Sequence, residues 1–292
     1  MRRFHFALLA TVAVIGLASI ASAADLPTKA PVYKAPVATP AFSWTGFYIG
    51  VNAGAGWSRS DVSNTFCASG AGCYPSVTQG ATASAGSSGN VTDTSFNGGI
   101  QAGYNWQMGA LVLGVETDFD YLGINASRSV RAPYDLSDPV FGVDVNDQVK
   151  ADYLGTLRGR LGYASGTLLL YTTGGLAYTT LKHSHDFAEF GFGSNTHCSG
   201  SNWCDLGGSS QSKFKVGWTV GGGFEWAFDR RWSLKAEYLY ADLGGVSSTT
   251  NYLVGGPNIF GFTPGSQIPN SAVNHSADLV VQTARVGLNY RF

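Results

Sequence analysis

Two short runs in this 292-residue chain carry residue types able to do acid–base or nucleophilic chemistry: His183-Ser184-His185-Asp186 and His275-Ser276. A serine activated by an imidazole that a carboxylate orients would hydrolyse acyl bonds. Adjacency along a chain does not create that geometry, and the flanking segments are Ser-rich throughout, so no catalytic role is expected. His183-x-His185 puts two imidazoles on one face of an extended segment, a spacing that suits a metal ion or haem iron; solvated histidines at a rim are the plainer reading. Cys67/Cys73 and Cys198/Cys204 sit in Gly/Ser-rich stretches and, in an exported chain, read as two local disulfides. Zinc is a weaker alternative there, hinted at only by His197 beside Cys198. The runs Thr173-Gly174-Gly175 and Gly221-Gly222-Gly223 lack the strand-to-helix turn that cradles phosphate. A formal net charge of −1 and no basic stripe exclude nucleic acid, and no cofactor is expected.

Export is legible at the N-terminus. Arg2 and Arg3 precede an apolar run from Ala7 to Ile20, and Ala21-Ser22-Ala23 is a cleavage site for a secretory signal peptide. The run is too short to span a bilayer as a helix. Residues 1–23 are therefore the expected signal, residues 24–43 a flexible Pro-rich leader (Pro27, Pro31, Pro36, Pro40), and residues 44–292 one further domain.

Composition narrows what that domain is. Charged residues make up 13% of the chain, about half the usual share, and glycine is about twice its usual share at 39 residues. No apolar run approaches the roughly 18 residues of a spanning helix, so a membrane protein of this composition spans with strands. Period-two alternation supplies them: residues 44–58, 96–106, 111–121, 149–163, 167–181, 214–228, 232–240 and 277–292. The last runs to the final residue, with Phe292, Tyr290, Leu288 and Val286 on one parity and Arg291, Asn289, Gly287 and Arg285 on the other. Short turns follow the second, fourth and sixth strands. Segments 59–94, 123–148, 183–212 and 244–276 read as four long loops, and the facing of the fifth strand stays open.

The alternation of three short turns with four long loops predicts an all-β fold: an eight-stranded antiparallel up-and-down transmembrane β-barrel with long external loops and short periplasmic turns. A soluble barrel would need many Lys and Glu on its polar face; these faces carry Gly, Asn, Thr and occasional charges, which suit a narrow interior. Trp44, Trp106, Tyr163, Trp226, Phe228, Trp232, Tyr290 and Phe292 form one expected aromatic girdle, and Trp57, Phe96, Tyr121, Tyr153, Phe214 and Tyr240 the other. Parity then predicts a lumen set of Glu116, Asp118, Asp120, Asp152, Arg158, Arg160, Lys215, Glu225, Lys235, Glu237 and Arg285, in which both signs can pair.

SWTGFYIGVNAG at 43–54, GGIQAGYNWQ at 98–107, LRGRLGY at 157–163, SLKAEYLYADLG at 233–244 and the closing VGLNYRF together resemble the small eight-stranded outer-membrane barrels of Gram-negative bacteria, in particular the alphaproteobacterial surface proteins often labelled porin-family. The resemblance implies residence in the outer membrane among lipid and lipopolysaccharide, and reading of the Phe292-terminated strand by the assembly machinery. Some relatives bind haemin, which leaves haem or a host-surface ligand open for the loops. Three functions remain: a surface-displayed structural barrel, a narrow porin for ions or very small solutes, and a haem-binding surface protein.

Overall fold

The computed structural model describes residues 42–66, 77–137, 142–190, 205–254, 263, 265–267 and 272–292. The expected signal segment and the leader up to residue 41 lie outside them. So do Cys67, Cys73, Cys198 and Cys204, and with them both expected disulfides, Cys67 with Cys73 and Cys198 with Cys204, and the zinc alternative at His197. The elements are β1 (Gly46–Phe66), α1 (Val77–Ser87), β2 (Gly89–Met108), β3 (Leu111–Pro133), β4 (Gly142–Ser165), β5 (Leu168–Phe190), β6 (Asp205–Ala227), β7 (Trp232–Thr250), the two-residue β8 (Leu253–Val254) and β9 (Val273–Arg291). Eight long strands form one antiparallel ring in the order β1-β2-β3-β4-β5-β6-β7-β9, and β9 closes it against β1 from Tyr48↔Arg291 to Phe66↔Val273. This is the expected eight-stranded up-and-down barrel. Gly109 and Gly166 open two of the short turns at φ 64° and 59°, the left-handed conformation that a tight hairpin link requires.

Among the described residues, the four expected long loops are mostly strand. β4 runs for 24 residues and β7 and β9 for 19 each, whereas crossing hydrocarbon takes about 9–11 tilted strand residues. The surplus continues the wall beyond the membrane, and α1 occupies part of segment 59–94. Exposure marks the change. Outward positions on β1 are Phe47, Ile49, Val51 and Trp57, then Arg59, Asp61, Ser63 and Thr65. On β3 they run from Leu111, Leu113, Val115, Phe119 and Tyr121 to Asn125, Ser127, Ser129 and Arg131. The inward side reverses in step: polar and small in the lower half, then Leu122, Ile124, Ala126, Val143, Val145, Val149, Val246 and Ala277 above. Apolar side chains thus face lipid where there is lipid, and face inward where water surrounds the wall. Each upper segment is too polar on its outer face to read as membrane strand, which is why pattern reading stopped at the interface.

β-bulges lie at the junction. β4 carries one between Ala151 and Gly155, and β7 one between Asp242 and Gly245 with Gly244 at φ 62°. In β4, Leu154 and Ala151 are both buried, so the bulge turns Asp152 and Tyr153 outward. β5, whose facing was open, buries Leu169, Tyr171, Thr173, Ala177, Thr179, Leu181, His183 and His185. Among the girdle residues, Trp106, Trp226, Trp232, Tyr290 and Phe292 point outward near the short-turn end. Trp44 does not: it is 1% exposed, packs inside the mouth with Val112, Ala164, Leu169, Tyr171 and Ala227, and donates its indole N–H to the Gly166 carbonyl at 3.1 Å. It shares the inward parity of Tyr48, which the aromatic composition had masked.

This division predicts a position-dependent cost. Leu157→Arg, on the outer face between the two aromatic belts, should destabilise the barrel by about 2–4 kcal/mol, whereas Ser127→Arg on the upper outer face should stay within about 0.5 kcal/mol. Urea unfolding in phospholipid vesicles measures both; equal costs would mean that the lipid boundary is misplaced.

Candidate functional site: a charged lumen and a histidine tier

Five carboxylates (Glu116, Asp118, Asp120, Glu225, Glu237) and four cations (Arg158, Arg160, Lys235, Arg285) meet inside the lower barrel, all nearly inaccessible to solvent. Arg158 contacts Glu116 at 2.5 Å, Asp118 at 2.7 Å and Glu237 at 3.0 Å, and its Nε donates to Thr156 Oγ1 at 3.0 Å. Arg285 reaches Glu237 at 2.7 Å and Asp118 at 2.9 Å and also pairs with Asp120. Lys235 lies 2.8 Å from Glu116, and Arg160 pairs with Glu225 while its guanidinium stacks 3.7 Å from the Tyr171 ring centroid. Neutral side chains take up the remaining lone pairs. Tyr48 donates to Glu116 at 2.6 Å, Tyr171 to Glu237 at 3.1 Å, Asn52 to Asp120 at 2.9 Å and Asn289 to Glu225 at 2.9 Å. Charges withdrawn from water to this degree are tolerable only when paired and hydrogen-bonded on several sides. Glycine on the same face leaves the room: a Cβ on Gly54 would lie 2.6 Å from the Cα of Arg285.

Two members of the predicted lumen set stand elsewhere. Asp152 is turned outward by the β4 bulge and pairs with Lys182 at 2.6 Å on the wall exterior. Its parity was counted through a bulge that alternation cannot reveal. Lys215 is only partly buried and donates to the Gly245 carbonyl, apart from the network. Tyr48, Asn52, Gln101, Thr156, Tyr171 and Asn289 were missed as members, although Tyr48, Asn52, Gln101 and Asn289 carry the inward parity in their strands; a search confined to formal charges passes over them.

Directly above the charges the lumen is apolar, with Leu122, Ile124, Leu154, Leu181, Leu243 and Leu279 each at most 2% exposed. Above that, beyond the lipid band, sits a second polar tier. His183 and His185 project inward from β5, Asp147 from β4, Asn64 from β1 and His275 from β9. The rim histidines are therefore not solvated: His183 is 1% and His185 0% exposed, beneath Phe66, Phe187 and Tyr252. Ser184 and Asp186 occupy the opposite face of β5, and Ser184 meets Ser210 at 3.0 Å, so the run assembles no Ser–His–Asp relay. Asp147 and Asn64 carry no local signal in the sequence, and His275 stands out there only beside Ser276, because their partners lie on other strands. Burial, followed by the neighbouring His185, pushes the imidazolium pKa of His275 down to about 3. Burial works to raise that of Asp147, but His183, His185 and Asn64 hold its carboxyl well below the usual range.

Arg158→Ala leaves Glu116, Asp118 and Glu237 short of a partner and should cost about 3–5 kcal/mol. Asp152→Ala, which breaks an exposed pair, should cost at most about 1 kcal/mol; urea unfolding in micelles compares them, and a small loss for Arg158→Ala would reject the network as a stabilised unit. A second expectation concerns acid. An unfolded imidazole takes its proton near pH 6.5 and folded His275 only near 3, so in that window the unfolded chain binds more protons. Stability should therefore fall as pH drops from about 6.5 towards 3. Thermal unfolding at pH 7.5 and 4.5 checks this, with His275→Gln expected to flatten the dependence.

The model for the outer membrane protein β-barrel domain matches residues 10–292. The 31 kDa outer-membrane immunogenic protein of Brucella melitensis is 37% identical over 98% of either chain, and the 25 kDa outer-membrane immunogenic protein of Brucella abortus 25% identical over 100% of both. A 22 kDa outer membrane protein of Rhizobium leguminosarum is 32% identical over 72% of this chain and 68% of its own. Among solved structures, the attachment invasion locus protein Ail of Yersinia pestis matches at TM-score 0.31 with 13% identity, covering 85% of this chain and 99% of that one. The assignment rests on the sequence family and on the closed strand ladder. The chain belongs to the outer membrane protein β-barrel domain family and is an outer-membrane β-barrel protein.

Proposed function

We propose that this barrel is a closed, surface-displayed structural protein of the outer membrane, and neither a pore nor an enzyme. One observation carries the reading: the lumen is filled twice in succession. The ion-paired tier spans the interior with donors and acceptors from all eight long strands, and the leucine-rich tier lies directly above it. A permeating ion would first have to displace interlocked charges and then shed its water in an apolar constriction, each a barrier to conduction. The immunogenic naming of the Brucella relatives is consistent with a wall that stands well clear of the lipid and presents polar side chains outward. In this reading, lipid surrounds the aromatic-belted band, lipopolysaccharide surrounds the polar upper wall, and the Phe292-terminated strand is what the assembly machinery recognises. Haem draws no support from His183 and His185, because both lie under the Phe66, Phe187 and Tyr252 tier, where no planar macrocycle has room.

Planar-bilayer recording of the refolded protein tests this. Neither the wild type nor Arg158→Ala should give steady unitary currents, since the apolar tier survives the substitution. Stable channels in the wild type that change ion preference in Glu116→Ala would replace the scaffold with a narrow porin.

A further inference from the structure

The upper polar tier has a feature that the structural role leaves unused. Asp147 Oδ1 faces His185 Nδ1 at 2.6 Å, and Asp147 Oδ2 accepts from Asn64 Nδ2 at 3.1 Å. Because Asn64 Nδ2 also donates to the Ser87 carbonyl at 3.3 Å, Asn64 Oδ1 is the acceptor for His275 Nδ1 at 3.1 Å. Both imidazoles must therefore carry their proton on Nδ1, a tautomer assigned from the network. Their Nε2 atoms are left as bare lone pairs, buried and without hydrogen-bond partners; Nε2 of His183 is likewise buried without a hydrogen bond and lies 3.7 Å from Asp147 Oδ1. A buried polar atom left without a partner is unfavourable, and a ligand that takes the lone pair relieves it. Since both Nδ1 atoms address the same Asp147–Asn64 pair, both Nε2 atoms point away from it, and the two rings stack with centroids 3.3 Å apart.

We propose that His185 and His275 form the core of a site for a divalent transition-metal ion of the imidazole-seeking class (Zn2+, Ni2+, Cu2+). A carboxylate or amide oxygen holding Nδ1–H while Nε2 faces the ion is how metal-binding histidines are oriented, and Asp147 and Asn64 supply it here. A tetrahedral ion with metal–nitrogen bonds of about 2.0–2.1 Å needs both lone pairs turned to one point, which two rings in face contact reach by opening like a hinge. Among the described residues no three donors yet surround one point. Capture splays the stacked pair and draws in His183, whose ring lies 6.5 Å from that of His185; water completes the shell.

The wall provides access. β6 and β7 are laddered only from Trp218↔Asp242 downward, and β6 is rejoined at Leu206↔Leu253 by β8. Between these points the two strands are bridged by side chains, Ser209 to Ser248 at 3.1 Å and Lys215 to the Gly245 carbonyl. Beside this stretch a cleft of about 390 Å³ runs across β1, β9 and β7 to Gln211 of β6, lined by Ser63, Ser248, Thr249 and Asn274 and including His275. Its lining carries no formal cation to repel an incoming ion.

Zn2+ titration of the folded protein in detergent, followed by calorimetry, should give one site of micromolar affinity. His185→Gln/His275→Gln should weaken it at least 30-fold, and Asp147→Asn by about 10–100-fold through loss of orientation. Folding of each variant is scored by heat-modifiable gel migration. Should the double variant not fold, electron paramagnetic resonance of the Cu2+-loaded wild type decides, with nitrogen superhyperfine splitting from at least two imidazoles expected. Unchanged Zn2+ affinity in the folded double variant, as binding through cysteines would give, overturns the proposal, as does a Cu2+ spectrum without nitrogen coupling.

Discussion

Hydrocarbon offers no hydrogen-bond partner, and everything else in this molecule answers to that constraint. A strand in lipid must pair on both edges, so β9 has to find β1, and the ladder from Tyr48↔Arg291 to Phe66↔Val273 leaves no open edge between the first and last strands. Closure with eight strands gives an interior only wide enough for side chains. Whatever polar groups face inward are then cut off from water and have to satisfy one another. The Arg158–Glu116–Glu237–Arg285 network is a consequence of the narrow radius as much as a source of rigidity.

The same chain then meets a second solvent. Above the upper aromatic belt the wall is in water, and the preference of apolar side chains reverses without any change of topology. Bulges at Ala151–Gly155 and Asp242–Gly245 sit at this junction, where an extra residue lets a strand exchange the side chains it presents to each face. Below, the molecule is an inside-out protein; above, Val62, Ile124, Val145, Val149 and Ala277 pack as in a soluble barrel, and α1 covers part of the top with Ala83 buried against Ala132. The described part of the upper half is thus packed wall built from segments that look like loops.

Polar tiers in the two halves differ in kind. In the lower tier opposite charges neutralise one another, and neutral donors such as Tyr48, Tyr171 and Asn52 complete the carboxylates. In the upper tier one carboxylate, Asp147, and one amide, Asn64, orient two stacked imidazoles and leave their lone pairs unmatched. A fully matched network favours a single fixed arrangement, whereas an unmatched one is where a ligand gains most.

Alternation, glycine content and aromatic placement determined the strand number, the antiparallel order, the lipid-facing set of the lower half and the sign-balanced charges inside, because all follow from local period-two geometry and from which residues tolerate lipid. Outward Trp106, Trp226 and Trp232 and inward Arg158, Glu116 and Arg285 could be read from parity alone. Tertiary structure decided what parity cannot carry. The β4 bulge expelled Asp152, the course of the chain into the mouth buried Trp44, and the reversal of solvent made wall of the described flanks of four apparent loops. Above all, the meeting of His275 with Asn64, 211 residues apart in sequence, depends on ring closure and register. No local pattern encodes which residues a closed barrel will bring face to face across its lumen.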